Sequence, residues 1–170
     1  TNEEALDEMD YLQKQFGFTV HYSHPVTTER DIQHLESEFE VIFLGIGLGR
    51  TSELGIPGED KDGVQGAVEF VETLRMGHHQ IAVPKKVIVL GGGNTAMDAA
   101  SESARMGAEH VILAYRRSKE DMGAYEFEYD LAKGVGVQGL FNAAPVEITG
   151  NGKVTGVKFI RTHVVNGKVE

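Results

Sequence analysis

The β-branched run Val87-Ile88-Val89-Leu90 feeds directly into Gly91-Gly92-Gly93-Asn94-Thr95-Ala96, and no other stretch limits the fold of this chain so tightly. A helical pattern follows, then a second apolar run from His110 to Tyr115, which ends in Arg116-Arg117. Strand, glycine turn and helix start in that order bring backbone N–H groups and about half a positive charge to one point, as a pyrophosphate requires. In the G-x-G-x-x-G/A pattern Gly91 makes the tight turn, Gly93 lets the backbone approach phosphate, and Ala96 takes the third small position. Ala99, Ala100, Ser103 and Ala104 continue that small face at helical spacing, and Gly107 reads as the helix stop. A strand-to-helix turn also needs glycine for steric reasons alone. It is the flanking strand, helix and second strand that make this a dinucleotide site.

Where a site for NAD places Asp or Glu at the end of the second strand, this chain has Arg116, Arg117 and Ser118. A carboxylate there would repel the 2′-phosphate of NADP, whereas guanidinium groups clamp it with paired, charge-assisted hydrogen bonds. The expected cofactor is therefore NADPH. The competing reading is a pair of solvated strand-end charges. Lys119 adds to the positive field, while Glu120 and Asp121 dilute it.

Charge is unevenly spread along the 170 residues. The net charge is -10, yet residues 1–82 hold 16 acidic and 5 basic side chains while residues 83–170 hold 10 and 11. The half with the glycine turn does not repel a phosphate-rich ligand, and neither half has the basic stripe of a nucleic-acid binder. The longest apolar run, from Val41 to Leu48, is too short to span a bilayer, and no signal-peptide pattern opens the chain. No membrane partner is expected, and the expected location is cytoplasmic. With no cysteine the chain has no disulfide, thiolate metal site or C-x-x-C redox pair. The start at Thr1 and the interrupted hairpin Asn166-Gly167-Lys168-Val169-Glu170 read as boundaries inside a longer protein.

Elsewhere the patterns predict a capped helix from Thr1 to Phe16, a short strand over Phe18 to Tyr22, and a helix over Thr28 to Glu38 with Ile32 and Leu35 inward. Val41 to Ile46 reads as a buried parallel strand ending in Gly45-Ile46-Gly47-Leu48-Gly49. Val64 to Met76 is predicted helical, residues 77–85 a linker, and Glu120 to Lys133 a helix weakened by Gly123. Strands are expected over Val137 to Phe141, Val146 to Thr149 and Val154 to Thr162, the last two joined by Gly150-Asn151-Gly152.

Four motifs occur in order: Val41-Ile42-Phe43-Leu44-Gly45-Ile46-Gly47, Leu54-Gly55-Ile56-Pro57-Gly58-Glu59, Gly91-Gly92-Gly93-Asn94-Thr95-Ala96-Met97-Asp98 and Tyr115-Arg116-Arg117-Ser118. In this the chain resembles, essentially end to end, the glutamate synthase small-subunit-like FAD-dependent pyridine nucleotide oxidoreductases. It is also similar to the flavin half of dihydropyrimidine dehydrogenase. The resemblance implies an α/β fold in which a Rossmann-like NAD(P)-binding domain is joined to the tail of a second, FAD-type Rossmann segment. Residues 1–56 would close the first FAD-domain segment, residues 57–82 would connect, and residues 83–170 would form the NADP(H)-binding domain, incomplete at its C-terminus.

By the same resemblance, hydride would pass from NADPH to FAD and onward to iron-sulfur clusters outside these residues or to an electron-accepting partner subunit. The FAD domain's own opening G-x-G-x-x-G is not in this sequence, so the remainder of that domain would be a partner too. Carried over by position, Gly92, Gly93, Asn94 and Thr95 would contact the pyrophosphate, Arg116 and Arg117 the 2′-phosphate, and Gly47 would lie against FAD. One departure stands out: relatives commonly have Met-Pro-Ala where this chain has Met122-Gly123-Ala124.

Other signals read more simply. His78-His79 lacks a third metal ligand and reads as linker. Glu126, Glu128 and Asp130 read as an exposed acidic helix face rather than acid-base catalysts, since hydride transfer relies on positioning and cofactor chemistry. Asp98 is expected in the first helical turn as a dipole-compatible residue. Two further readings stay open: a non-catalytic NADP(H)-binding or sensor module, and a purely structural domain.

Overall fold

The computed structural model describes residues 2–47, 49–77, 81–165 and 168–169, and the chain divides into two compact units, residues 1–49 and 50–170. The first unit contains helices α1 (Asn2–Phe16) and α2 (Glu29–Glu38). Helix α1 stops where Gly17 donates its N–H to Gln13 O at 2.9 Å; its predicted cap Thr1 lies outside the described residues. Helix α2 opens with a complete capping box. The Asp31 N–H donates to Thr28 Oγ1, and the Asp31 carboxylate accepts the N–H groups of Thr28 at 2.8 Å and Thr27 at 3.0 Å.

Two expected strands do not form in this unit. Neither Phe18 to Tyr22 nor Val41 to Ile46 forms a strand, and Phe43 is 93% exposed. A β-branched run supplies propensity, but a strand exists only as part of a ladder. Among the described residues every ladder lies in the second unit. Likewise Ile32, predicted to face inward, is 50% exposed.

The second unit is built on α3 (Ala67–Met76), β1 (Lys86–Leu90), α4 (Asn94–Arg105), β2 (His110–Tyr115), α5 (Glu126–Gly134) and β3 (Gln138–Phe141). The three strands form one parallel sheet in the order β1-β2-β3, with Lys86 opposite His110 and Ile112 opposite Gln138. Parallel neighbours require a crossover, and α4 supplies it between β1 and β2. Its face of Ala96, Met97, Ala99, Ala100 and Ser103 is buried against Val89, Val111 and Leu113 of the sheet, with Phe70 and Val71 of α3 covering the rim.

A hairpin of β4 (Ala143–Thr149) and β5 (Gly156–Arg161) follows, with its irregularity at Pro145, which has no N–H to give a ladder. The terminal pair β6 (Val164–Val165) and β7 (Lys168–Val169) is antiparallel, and Asn166 and Gly167 lie outside the described residues. The helix predicted over Glu120 to Lys133 is divided. A 3-10 turn covers Lys119–Asp121, and α5 starts only at Glu126. The reason is competition for donors: Ala124 N–H is given to Gly92 O at 3.0 Å and Tyr125 N–H to Asn94 Oδ1 at 3.2 Å.

Residues 51–66 are fixed by side chains rather than by a regular element. Thr51 caps α3 from a distance, accepting Val68 N–H at its hydroxyl and donating that hydroxyl to Glu69 Oε2 at 2.7 Å. Pro57 O accepts Ile148 N–H, and Asp62 bonds both Gly152 O and Val154 N–H, so this stretch is stitched to the β4–β5 hairpin. Its turn closes on Glu59, whose carboxylate accepts N–H groups from Leu54 at 2.7 Å, Gly55 at 2.7 Å and Ile56 at 3.2 Å.

The Leu54 N–H, helped by those of Gly55 and Ile56 and opposed by desolvation, holds the Glu59 carboxyl below its ordinary value of 4.5. A carboxyl lowered by folding stabilises fully above its unfolded value, and this contribution fades as the pH falls through the folded one. Glu59→Gln is therefore expected to melt below the wild type at about pH 7, with the gap closing below about pH 4. Paired thermal melts across that range read it; a gap that persists unchanged in acid contradicts the clamp.

Candidate nucleotide-binding site

The site begins where β1 stops. Gly91 donates its N–H to Ala114 O on β2 at 3.0 Å and turns the chain at φ +151°, a conformation that L side chains rarely adopt. A Cβ built on Gly91 would lie 3.1 Å from that of Ala96, so the third small position of the motif packs against the first. Gly92 is glycine for a different reason: a Cβ there would meet the Tyr115 ring at 2.6 Å. Gly93 has neither constraint. Its φ of -101° suits any residue, and nothing lies within 4 Å of a Cβ built on it. What that open space admits is a close approach from outside.

Gly93 is the N-cap of α4, and no side chain caps that helix. Its opening N–H groups, those of Asn94 and Thr95, have no intrahelical acceptor by the geometry of an α-helix. The first turn contains no acidic residue; Asp98, predicted there, falls in the second turn. The positive end of α4 is therefore not neutralised by its own sequence. The Asn94 side chain is turned toward α5, its Oδ1 accepting the Tyr125 N–H.

The two arginines stand just past the end of β2. Arg116 is exposed and Arg117 half-buried, and the Nε of Arg117 is enclosed with no hydrogen-bond partner. A buried donor left unpaired costs free energy. Both carbonyls of the pair are occupied: Thr162 Oγ1 donates to Arg116 O at 2.7 Å and Asn142 N–H to Arg117 O at 2.9 Å. Ser118 is turned to Asp121 Oδ2 at 2.8 Å, and Lys119 lies 3.9 Å from Glu126 and over the Tyr129 ring.

Gly91, Gly92, Gly93, Asn94, Thr95, Arg116 and Arg117 thus all belong to the second unit, on the turn after β1 and at the end of the adjacent β2. Tyr115 links these two places, with its ring beneath Gly92 and its hydroxyl donating to Asp121 O at 3.0 Å. Gly47 lies in the first unit, where φ is +67°. The sequence patterns give Tyr115, Asn142 and Thr162 no role at the site. A tyrosine at the end of a strand beside two arginines was the one local signal available.

The acidic face of α5 is mixed. Asp130 pairs with Lys133 at 2.7 Å, which lowers the Asp130 carboxyl and raises the Lys133 ammonium, whereas Glu128 keeps one carboxylate oxygen enclosed and unpartnered. Among the described residues no group of His, Asp or Glu is placed to hold a metal, and no helix is long and apolar enough to cross a membrane. The histidines 78 and 79 lie outside the described residues.

Residues 4–168 match the pyridine nucleotide-disulphide oxidoreductase family. The chain belongs to that family. It is 37% identical over 162 residues to the glutamate synthase [NADPH] small chain of Escherichia coli (strain K12), covering 87% of this chain and 34% of that one. It is 35% identical over 150 residues to the NADPH-Fe(3+) oxidoreductase subunit beta of Geobacter sulfurreducens (strain DL-1 / KN400), covering 85% and 22%. With the NAD-dependent dihydropyrimidine dehydrogenase subunit PreT of Escherichia coli it shares 29% over 142 residues, covering 84% and 34%.

The chain spans about a third or less of the length of these relatives. Among solved structures, FprA of Mycobacterium tuberculosis in complex with NADPH superposes with a TM-score of 0.58 at 19% identity, over 74% of this chain and 44% of that one. That likeness establishes the same Rossmann-type fold.

The two neighbouring glycines of the family turn separate fold from binding. Gly92→Ala is expected to destabilise by about 1–3 kcal/mol, because the methyl meets the Tyr115 ring. Gly93→Ala is expected to stay within about 1 kcal/mol of the wild type yet to weaken dinucleotide binding. Denaturant unfolding and calorimetric titration measure the two effects; a Gly93→Ala variant that binds normally removes Gly93 from the site.

Proposed function

We propose that the chain is the NADPH-binding part of an FAD-dependent oxidoreductase that passes electrons from NADPH to flavin, and onward to iron-sulfur centres or a partner subunit. The observation that carries this reading is the pairing of two unsatisfied cationic elements on adjacent strand ends. One is the uncapped start of α4 behind the open Gly93, and the other is the Arg116-Arg117 pair, of which Arg116 is exposed. Support comes from two relatives whose names carry NADPH and a small chain or subunit, while a third, PreT, is named as NAD-dependent. In domain terms, residues 1–56 would belong to the FAD domain, residues 57–82 would connect, and residues 83–170 would form the NADP(H) domain, with Gly47 toward FAD.

When bound, NADPH would supply a hydride and flavin would accept it. The chain's own share is positioning. The N–H groups of Gly92, Gly93, Asn94 and Thr95 would hold the pyrophosphate, since backbone donors at a helix start favour anions. Arg116 and Arg117 would hold the 2′-phosphate, and in doing so discriminate against NADH. No residue of this chain is assigned a proton transfer, and the 170 residues alone would bind nucleotide without turning it over.

Calorimetric titration with NADPH, NADH and FAD tests this reading. Replacing Arg116 and Arg117 together by alanine is expected to cut NADPH affinity by roughly ten- to a thousandfold, at about 1.5–3 kcal/mol for each charge-assisted bond lost, while sparing NADH. Equal loss for both nucleotides removes the 2′-phosphate assignment. Failure of both nucleotides to bind the wild type leaves a structural domain.

A further inference from the structure

The parallel ladder between β2 and β3 ends at Tyr115 opposite Phe141, one residue short of Arg116. Strand pairing therefore does not hold the two arginines. The root of the β4–β5 hairpin does. Asn142, just before β4, gives its N–H to Arg117 O at 2.9 Å, and Thr162, just after β5, gives its hydroxyl to Arg116 O at 2.7 Å. Thr162 N–H then closes the arrangement on Asn142 O at 3.0 Å.

Thr162 is 7% exposed, and its hydroxyl reaches a carbonyl 46 residues away. The buried Ser103 hydroxyl, by contrast, bonds Ala99 O within its own helix. The hairpin ladder itself needs no hydroxyl at this position, since its last pair is Ala143 with Arg161. Asn142 adopts φ +53°, a left-handed conformation that asparagine tolerates better than most residues, so the root is bent toward the strand end.

We propose that Thr162 is a positioning residue for cofactor discrimination. Its hydroxyl fixes the Arg116 carbonyl, and with it the direction in which Arg116 and Arg117 leave the strand end toward a 2′-phosphate. The inference rests on the assignment of those arginines to that phosphate. A guanidinium gains its advantage from aimed, paired bonds, and a backbone free to swing would spend part of that advantage on ordering. The glycine turn has its own supports in Ala114, Tyr115 and Ala124 and makes no bond with Thr162, so pyrophosphate binding is independent of it.

The test titrates the full 170-residue chain with NADPH and with NADH, comparing the wild type, Thr162→Val, Thr162→Ser and the Arg116→Ala, Arg117→Ala double variant. Thr162→Val, which keeps the shape and removes the donor, is expected to lose about three- to tenfold in NADPH affinity and to hold NADH within about twofold. Thr162→Ser keeps the donor and is expected to keep the NADPH preference. Where the valine variant does not fold by circular dichroism, Thr162→Ala takes its place with the same expected result.

Equal loss for both nucleotides marks a merely structural role and overturns the proposal, as does a serine variant that loses the preference as fully as valine. If the arginine variant loses NADPH selectively while Thr162→Val does not, the proposal falls and the 2′-phosphate assignment stands. If the arginine variant leaves the NADPH to NADH ratio unchanged, both fall together.

Discussion

The contact between Gly91 and Ala96 sets the geometry on which everything else depends. With Ala99, Ala100 and Ser103 buried along the same face, α4 lies close against β1 and β2. The height of a helix above a sheet follows from the side chains between them, and here, Met97 apart, those of the helix are a methyl or a hydroxymethyl. A larger residue at Ala96 would meet the turn that starts the helix, since even a methyl on Gly91 would come within 3.1 Å. Close seating therefore puts the uncapped N–H groups immediately beyond the carboxyl end of β1, where doubly wound sheets bind their ligands.

A second constraint works at the neighbouring strand end, where the ladder runs out before the residues that matter. The structure compensates with contacts from three sequence-distant pieces. The Tyr115 ring lies under Gly92 and its hydroxyl holds Asp121 O; Ala124 N–H returns to Gly92 O; Asn142 and Thr162 occupy the carbonyls of Arg117 and Arg116. Each such bond contributes only about 0.5–1.5 kcal/mol net. Their value is geometric, because they join the glycine turn, the arginine pair and the loop between Ser118 and Tyr125 into one framed edge.

What was legible in the sequence follows the range of the interaction. The motif over residues 91–96, the helix closing near Gly107, the strand before the arginines and the Gly150-Asn151-Gly152 hairpin are all local patterns, and all are present. Strands over Phe18 to Tyr22 and Val41 to Ile46 were misread because pairing is not local: extended propensity is in the residues, but the partner is not. The predicted helix from Glu120 lost its start because the donors at 124 and 125 answer to acceptors about thirty residues earlier. At Gly92 the Tyr115 ring adds a steric demand for glycine that the motif alone does not reveal. Thr162 gave no signal, because a threonine at the end of a strand looks the same whether its hydroxyl meets water or a carbonyl 46 residues away.

The arrangement also separates two kinds of recognition. Backbone groups present the helix start, so an exposed side chain on α4 can change without altering what the N–H groups offer, provided Gly93 stays open and the small buried face is kept. The strand end presents side chains, and there two substitutions suffice to exchange a pair of cations for a neutral or acidic end. On this division an overall charge of -10 is no obstacle, because exposed charges more than about 8–10 Å away are largely screened by physiological salt and the local field decides. On the proposed reading, general affinity for a dinucleotide would be tied to the fold itself. Choice between dinucleotides would then reside in a short segment able to vary without disturbing that fold, as long as the hairpin root continues to hold its carbonyls.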